Sequence, residues 1–292
     1  MPENIKIKNQ DGNTINMDFL PACLQQLDGS QAGRYPEKTD SKLPLLVFCH
    51  GFKGFKDWGC FPYMFDTFAN QNIFTVSFNF SLNGTDNEKA NPIDFERLDN
   101  FAINTFSKEL DDLGCVIDYL ESQQENYNYD FNKLILAGHS RGGGIAILKA
   151  AEDKRIKKLV VLASVSDFYR YGEETMRIWR ERGFIEVLNT RTKQKMRMNV
   201  SLLEDLEQNR NRLDVKKALG RIEAPTLIIH GSEDLAVDAG EAETIYNGLK
   251  SKELSTLKIL ENTGHTFGAV HPFAGSTAHL ETVIDEVVSF SQ

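Results

Sequence analysis

A chain of 292 residues with 41% hydrophobic content carries enough apolar side chain to bury one large core. Its 33 Lys and Arg against 42 Asp and Glu leave a formal net charge of -9, the wrong sign to attract a phosphate backbone or an anionic lipid surface, so neither nucleic acid nor membrane is an expected partner. The N-terminus lacks the basic start, apolar stretch and small-residue cleavage site of a secretory signal, and no apolar run approaches the roughly 20 residues that cross a bilayer, which predicts a cytoplasmic protein.

The chain opens with two alternating segments, Asn4 to Lys8 and Thr14 to Asp18, on either side of Asp11-Gly12, a pair suited to a tight antiparallel hairpin. From Asp28 to Lys42 the composition turns to Gly, Ser, Pro and charge, the mark of a surface connection. Apolar runs of strand length then follow at Leu45 to His50, Phe74 to Phe80, Leu134 to Ala137, Lys158 to Ala163, Thr226 to His230 and Leu257 to Leu260. Continuous runs of this kind suit strands buried on both faces. Between them, Phe106 to Leu120, Gly142 to Ala151, Glu241 to Leu249 and the closing His279 to Phe290 have helical period. The alternation predicts an α/β fold with a mostly parallel central sheet flanked by helices, in a single domain over 1–292.

The interval from Phe168 to Arg221 is too long for a simple crossover and rich in Arg, Lys, Glu and Asn, with helical patches at Glu173 to Arg182 and Val200 to Gln208. It predicts a helical cap insertion at about 168–221, in which the run Arg191 to Arg197 is an exposed face rather than a binding site. The four cysteines, Cys23, Cys49, Cys60 and Cys115, are scattered without a C-x-x-C pair or zinc spacing, so free buried thiols and no metal are expected.

The strongest chemical signal is Gly138-His139-Ser140-Arg141-Gly142, which follows the apolar run ending at Ala137 and precedes a helical segment. This is G-x-S-x-G in a strand-turn-helix context, a sharp turn that lifts a serine hydroxyl clear of the backbone. A serine is a poor nucleophile near neutral pH, so it requires a general base and a group to orient that base. The strand Thr226 to His230 runs into Gly231-Ser232-Glu233-Asp234, and the last strand into Thr263-Gly264-His265, which places an acid and a base on loops at strand carboxyl ends. Ser140 is therefore the expected nucleophile, His265 the base and Asp234 the orienting acid, with Glu233 its nearest rival. An early strand running into His50-Gly51-Phe52 supplies one backbone N–H for an oxyanion, that of Phe52, and Arg141 supplies the other. His50 is expected to brace this loop.

The stretches HGFKG, GHSRGG, HGSED and TGHTFG, spread from residue 43 to the end, resemble the α/β-hydrolase superfamily, nearest to its dienelactone-hydrolase-like and short-chain carboxylesterase or feruloyl-esterase-type members. The resemblance implies an α/β-hydrolase fold and hydrolysis of a small-molecule ester or related acyl substrate with no cofactor. Esterase-type relatives often carry Gln or Met after the nucleophile. Here Arg141 takes that place, and its guanidinium is expected to pair with Asp or Glu at the surface rather than to meet a substrate carboxylate. Lys53, Lys56, Asp57 and Trp58 are expected near the entrance, with Trp58 equally a core residue, and His271 is expected to brace its loop or, second to that, to stand at the pocket mouth. The cap set Phe168, Tyr169, Tyr171, Met176, Trp179 and Phe184 offers either an apolar substrate wall, Trp179 foremost, or packing onto the body. The same machinery serves aminopeptidase or acyl-peptidase chemistry and thioester cleavage or acyl transfer, and a non-catalytic binding protein on this scaffold is the reading from another class.

Overall fold

The computed structural model describes residues 2–21 and 42–292. Strands β1 (Glu3–Lys8) and β2 (Thr14–Leu20) form the opening hairpin. After β3 (Leu43–Cys49) the chain alternates: α1 (Phe61–Asn70), β4 (Phe74–Asn79), α2 (Leu98–Ala102), α3 (Phe106–Gln123), β5 (Tyr129–His139), α4 (Arg141–Glu152) and β6 (Lys158–Leu162). An excursion follows with α5 (Glu173–Arg182), β7 (Phe184–Leu188), β8 (Lys195–Asn199), α6 (Ser201–Gln208) and α7 (Val215–Leu219). The chain returns through β9 (Thr226–Gly231), α8 (Gly240–Gly248), β10 (Thr256–Leu260) and α9 (Ala278–Ser291). The surface connection expected from Asp28 to Lys42 lies, except for its last residue, outside the described residues.

The main sheet runs β1-β2-β4-β3-β5-β6-β9-β10. β2 joins β4 antiparallel, and every pairing from β4 to β10 is parallel. The period of two divides each central strand between two cores. Leu45, Val47 and Cys49 point into one with α3 and α4, while Leu46 and Phe48 point into the other with α1 and α9. Both faces are thus covered, which is why these strands read as unbroken apolar runs. Thr105 and Thr277 cap α3 and α9, each side chain accepting from the backbone N–H three residues on. No helix among the described residues is long and apolar enough to cross a membrane.

The excursion between β6 and β9 differs from the all-helical expectation. Gly183, at φ 74°, ends α5 and turns the chain into the antiparallel β7–β8 hairpin. The run from Arg191 to Arg197 supplies its turn and most of β8, where the period of two buries Met196 and Met198 and exposes Lys195 and Arg197. The cations on the outer face hide this strand from a reading based on charge. Helix α1 leaves no clear helical period in the sequence, because its Phe61-Pro62-Tyr63-Met64-Phe65 start is rich in aromatic residues that favour strands as readily as helices.

Candidate active site

Ser140 stands at the turn from β5 into α4 with φ 57° and ψ -120°, a backbone that a non-glycine residue keeps only when its surroundings impose it. They do so here: Ser140 N–H donates to the Leu162 carbonyl at 2.9 Å and the Ser140 carbonyl accepts from Gly143 N–H at 3.0 Å. The turn is so tight that a Cβ on Gly138 would lie 2.3 Å from the Gly142 carbonyl oxygen. A Cβ on Gly142 would lie 2.3 Å from that of Cys49. The glycines two residues either side of Ser140 are therefore required by close backbone crossing.

The loop after β3 packs onto this turn, with an added Cβ on Gly51 meeting Ser140 Cβ at 3.0 Å. Buried His50 braces it: Nδ1 donates to the Gly51 carbonyl at 2.9 Å, and Nε2 accepts from Phe80 N–H at 3.4 Å. Burial lowers the His50 pKa to about 4, so the ring is neutral near pH 7. Among the described residues, neither the Phe52 nor the Arg141 backbone N–H has a hydrogen-bond partner.

Asp234 follows β9 and is buried, while its rival Glu233 is exposed. Asp234 Oδ1 accepts from the Ala236 and Val237 amides at 2.8 and 2.9 Å, and Oδ2 accepts from His265 Nδ1 at 2.7 Å. His230 Nε2, also buried, lies 3.1 Å from the same Oδ2. Burial opposes the charge of Asp234, but hydrogen bonds from His230, His265 and Val237 outweigh it and hold the carboxyl far below the ordinary range. A carboxylate only accepts, so His265 Nδ1 carries the hydrogen and Nε2 keeps a lone pair. His265 and Ser140 line one cavity of about 410 Å³ together with Phe52, Trp58 and His271. No hydrogen bond joins Ser140 Oγ to His265 among the described residues, a separation common before substrate draws such pairs together.

Arg141 is not at the surface. It is 8% exposed, with Nη1 3.3 Å from Glu109 Oε1 and its guanidinium stacked between Phe52 and Phe106, 4.2 and 4.7 Å from their ring centroids. Helix α3 delivers both Glu109 and Phe106, and the pair is sealed from solvent. Lys56 likewise leaves the entrance: it is fully buried and paired with Asp18 on β2 and with Asp57. Trp179 does not meet the cavity. It is wholly buried in the excursion, its indole N–H donates to the Met198 carbonyl at 3.0 Å, and Tyr171 packs edge-on against it. Phe168 stacks on Phe106 at 4.1 Å, and Phe168, Tyr171, Met176 and Trp179 all pack with the core.

Several residues at the site escaped sequence reasoning. His139 lines the cavity, and its Nε2 donates to the His265 carbonyl at 2.9 Å; burial and the neighbouring His265 lower its pKa to about 3. Its place beside Ser140 was the available signal. Three residues of the β7–β8 turn, Asn189, Thr190 and Arg191, also line the cavity, beside Lys53, which the sequence places near the entrance. Nothing local marks the turn residues, since a hairpin some 50 positions downstream of the nucleophile carries them there. No cluster of His, Cys, Asp and Glu suited to a metal exists among the described residues. The described cysteines, Cys49, Cys60 and Cys115, are free.

A family model described as the prolyl oligopeptidase family matches residues 99–285. A Mycoplasma pneumoniae protein with a provisional esterase/lipase name is 25% identical over 262 residues, spanning 78% of this chain and 85% of its own. The structure of ferulic acid bound to Est1E from Butyrivibrio proteoclasticus superimposes with a TM-score of 0.66 at 19% identity, covering 98% of this chain and 97% of that one. A soluble variant of monoglyceride lipase from Saccharomyces cerevisiae, in complex with a substrate analogue, gives a TM-score of 0.71 at 16% identity, covering 100% of this chain and 95% of that one. The shared fold is the one that the four sequence stretches imply.

Proposed function

This chain belongs to the prolyl oligopeptidase family, and from that premise we propose that it is a serine hydrolase cleaving a small carboxylic ester through an acyl-enzyme on Ser140, with the excursion between β6 and β9 as its cap. The observation that carries the reading is the Asp234–His265 hydrogen bond of 2.7 Å, which leaves His265 Nε2 free in the cavity that Ser140 lines. In the proposed cycle the Ser140 hydroxyl proton passes to His265 Nε2 as Oγ bonds to the acyl carbon. The carbonyl oxygen becomes an oxyanion met by the Phe52 and Arg141 N–H groups. The carbon–oxygen bond to the alcohol then breaks, and the alcohol departs with the proton from His265. A water, deprotonated by His265, attacks the acyl-enzyme, and the acid and free Ser140 are released.

The family description favours a second reading, cleavage of a peptide. An enzyme that grips a peptide's free amino end needs an acidic group near the nucleophile, and no carboxylate is among the residues lining this cavity. The esterase/lipase name of the Mycoplasma relative supports the ester. Hydrolysis of p-nitrophenyl acetate, butyrate and octanoate by wild type and by folded Ser140→Ala tests the proposal, alongside labelling with a fluorophosphonate. Activity and labelling lost only in the variant are expected. Equal rates in both proteins would sink the Ser140 assignment. Labelling at Ser140 without ester turnover would bring the peptide reading forward, and absence of both would favour a binding protein.

A further inference from the structure

Hydrogen-bonding capacity around the cavity is one-sided. Among its lining residues the charged side chains outside the His265 pair are Lys53 and Arg191, both cations, in a chain whose formal net charge is -9. Lys53 adjoins Phe52 and is half-buried. Its Nζ donates to the Leu188 carbonyl at 3.2 Å and has no carboxylate partner among the described residues. Nζ also lies 5.6 Å from the centroid of the Phe52 ring, so a carbonyl and a ring face meet this partly desolvated cation while no anion neutralises it among the described residues. Its ammonium is correspondingly disfavoured by burial, with the pKa lowered.

The neighbours add donors. Asn189 is 7% exposed, and its Oδ1 is spent on the Arg191 and Thr192 amides at 3.1 and 3.4 Å, which leaves the Nδ2 hydrogens without a partner among the described residues. His271 Nδ1 accepts from Gly59 N–H at 2.8 Å, so in the neutral ring Nε2 carries a hydrogen. Burial and nearby Arg191 lower the His271 pKa and keep that ring neutral. Arg191 pairs through Nη1 with Asp94 at 3.2 Å and donates from Nη2 to the Ile93 carbonyl at 3.4 Å, which leaves part of its donor set for a ligand.

We propose that Lys53, Asn189 and His271, with Arg191 behind them, form a subsite for an anionic group of the substrate, so that the ester this enzyme prefers carries a carboxylate away from its scissile bond. This rests on the reading of the cavity as an esterase site. The subsite is built across two elements: the loop after β3 brings Lys53, and the β7–β8 turn brings Asn189 and Arg191. Lys53 Nζ bonded to the Leu188 carbonyl joins the two. The subsite therefore exists only while the hairpin lies over the nucleophile.

The test compares esters that differ in one charge: mono-p-nitrophenyl glutarate against p-nitrophenyl pentanoate for the acyl side, and p-acetoxybenzoate against its methyl ester for the alcohol side. Wild type should prefer the anion in at least one pair by about 10-fold in kcat/KM, the scale of one charge-assisted hydrogen bond. The preference should shrink with added salt and fall in Lys53→Met and in Arg191→Gln. Equal rates within both pairs, or a preference that persists in both variants, would overturn the subsite. Calorimetric binding of glutarate to wild type and Lys53→Met needs no turnover. If no ester is hydrolysed, the esterase reading fails while glutarate binding that weakens in Lys53→Met still supports the anion site; absence of such binding overturns it.

Discussion

Arg141 rests its guanidinium on the ring of Phe52, 4.2 Å from the centroid, and these are the two residues whose backbone amides are proposed to receive the oxyanion. Each donor is thus clamped by the other's side chain, and Glu109 on α3 holds the clamp at 3.3 Å while Asn104 donates to Glu109 at 2.7 Å. The arrangement preorganises donors that must not reorient as charge develops. Glu109→Ala would leave Arg141 buried without a counter-charge. It should cost about 3 kcal/mol in urea unfolding and lower kcat for p-nitrophenyl butyrate more than it raises KM. The double variant Glu109→Leu, Arg141→Met should regain stability, since an apolar pair of similar volume replaces the buried ions. Failure to regain it would show that the pair does more than neutralise itself.

His230 shares Asp234 Oδ2 with His265, at 3.1 Å against 2.7 Å. A donor on the acid spreads its negative charge and weakens its pull on a protonated His265. His230→Phe should lower kcat about 10-fold, as removal of an outer orienting partner does. An unchanged kcat would make His230 a packing residue only.

Asp234→Asn should cost more. An amide cannot serve as the same acceptor for His265 Nδ1–H, and the base loses both its tautomer and the stabilisation of its charged form. A loss in kcat of about 10⁴-fold, with KM little changed, is the expected outcome in steady-state kinetics. A loss below about 10-fold would return the search for the acid to Glu233.

Two buried histidines set how stability responds to acid. His50 and His139 have pKa values lowered to about 4 and about 3, whereas in the unfolded chain they titrate near 6.5. The unfolded state therefore binds protons first as pH falls, and stability drops between about pH 6.5 and 4. For His50 the shift corresponds to about 3 kcal/mol. Urea midpoints should decline steadily from pH 7 to pH 4.5, and His139→Asn should flatten the slope. Asp234 adds to the loss only at lower pH, because its depressed pKa keeps it charged in the fold while the unfolded carboxyl takes up protons below about pH 4.

Two glycines separate backbone crossing from backbone conformation. Gly142→Ala would place a Cβ 2.3 Å from the Cys49 carbonyl oxygen and 2.4 Å from that of His50, against backbone that cannot yield. It should cost at least about 3 kcal/mol or prevent folding, and remove fluorophosphonate labelling. Gly183 has φ 74° and open space around it, so Gly183→Ala should cost only about 1 kcal/mol. Thermal unfolding of both variants checks the contrast.

The sequence alone determined the parts that depend on local chemistry. Strand runs buried on both faces announced the parallel sheet, and the ends read for β4, β6, β9 and β10 lie within one residue of those observed. The turn bearing Ser140 was legible because backbone crossing leaves room only for glycine at 138 and 142. The order of Ser140, Asp234 and His265 was legible because each follows a readable strand. Tertiary structure alone decided the rest, since a contact between distant segments leaves no periodic trace. Arg141 reads as a surface cation until α3 is seen to seal it with Glu109. Trp179 reads as a substrate wall until the excursion folds around it. Arg191 is exposed, as its charge suggests, but only the closure of the hairpin brings its turn to the cavity that Ser140 lines. Burial and charge pairing belong to the packing of elements, and these set which cations remain free to meet a substrate.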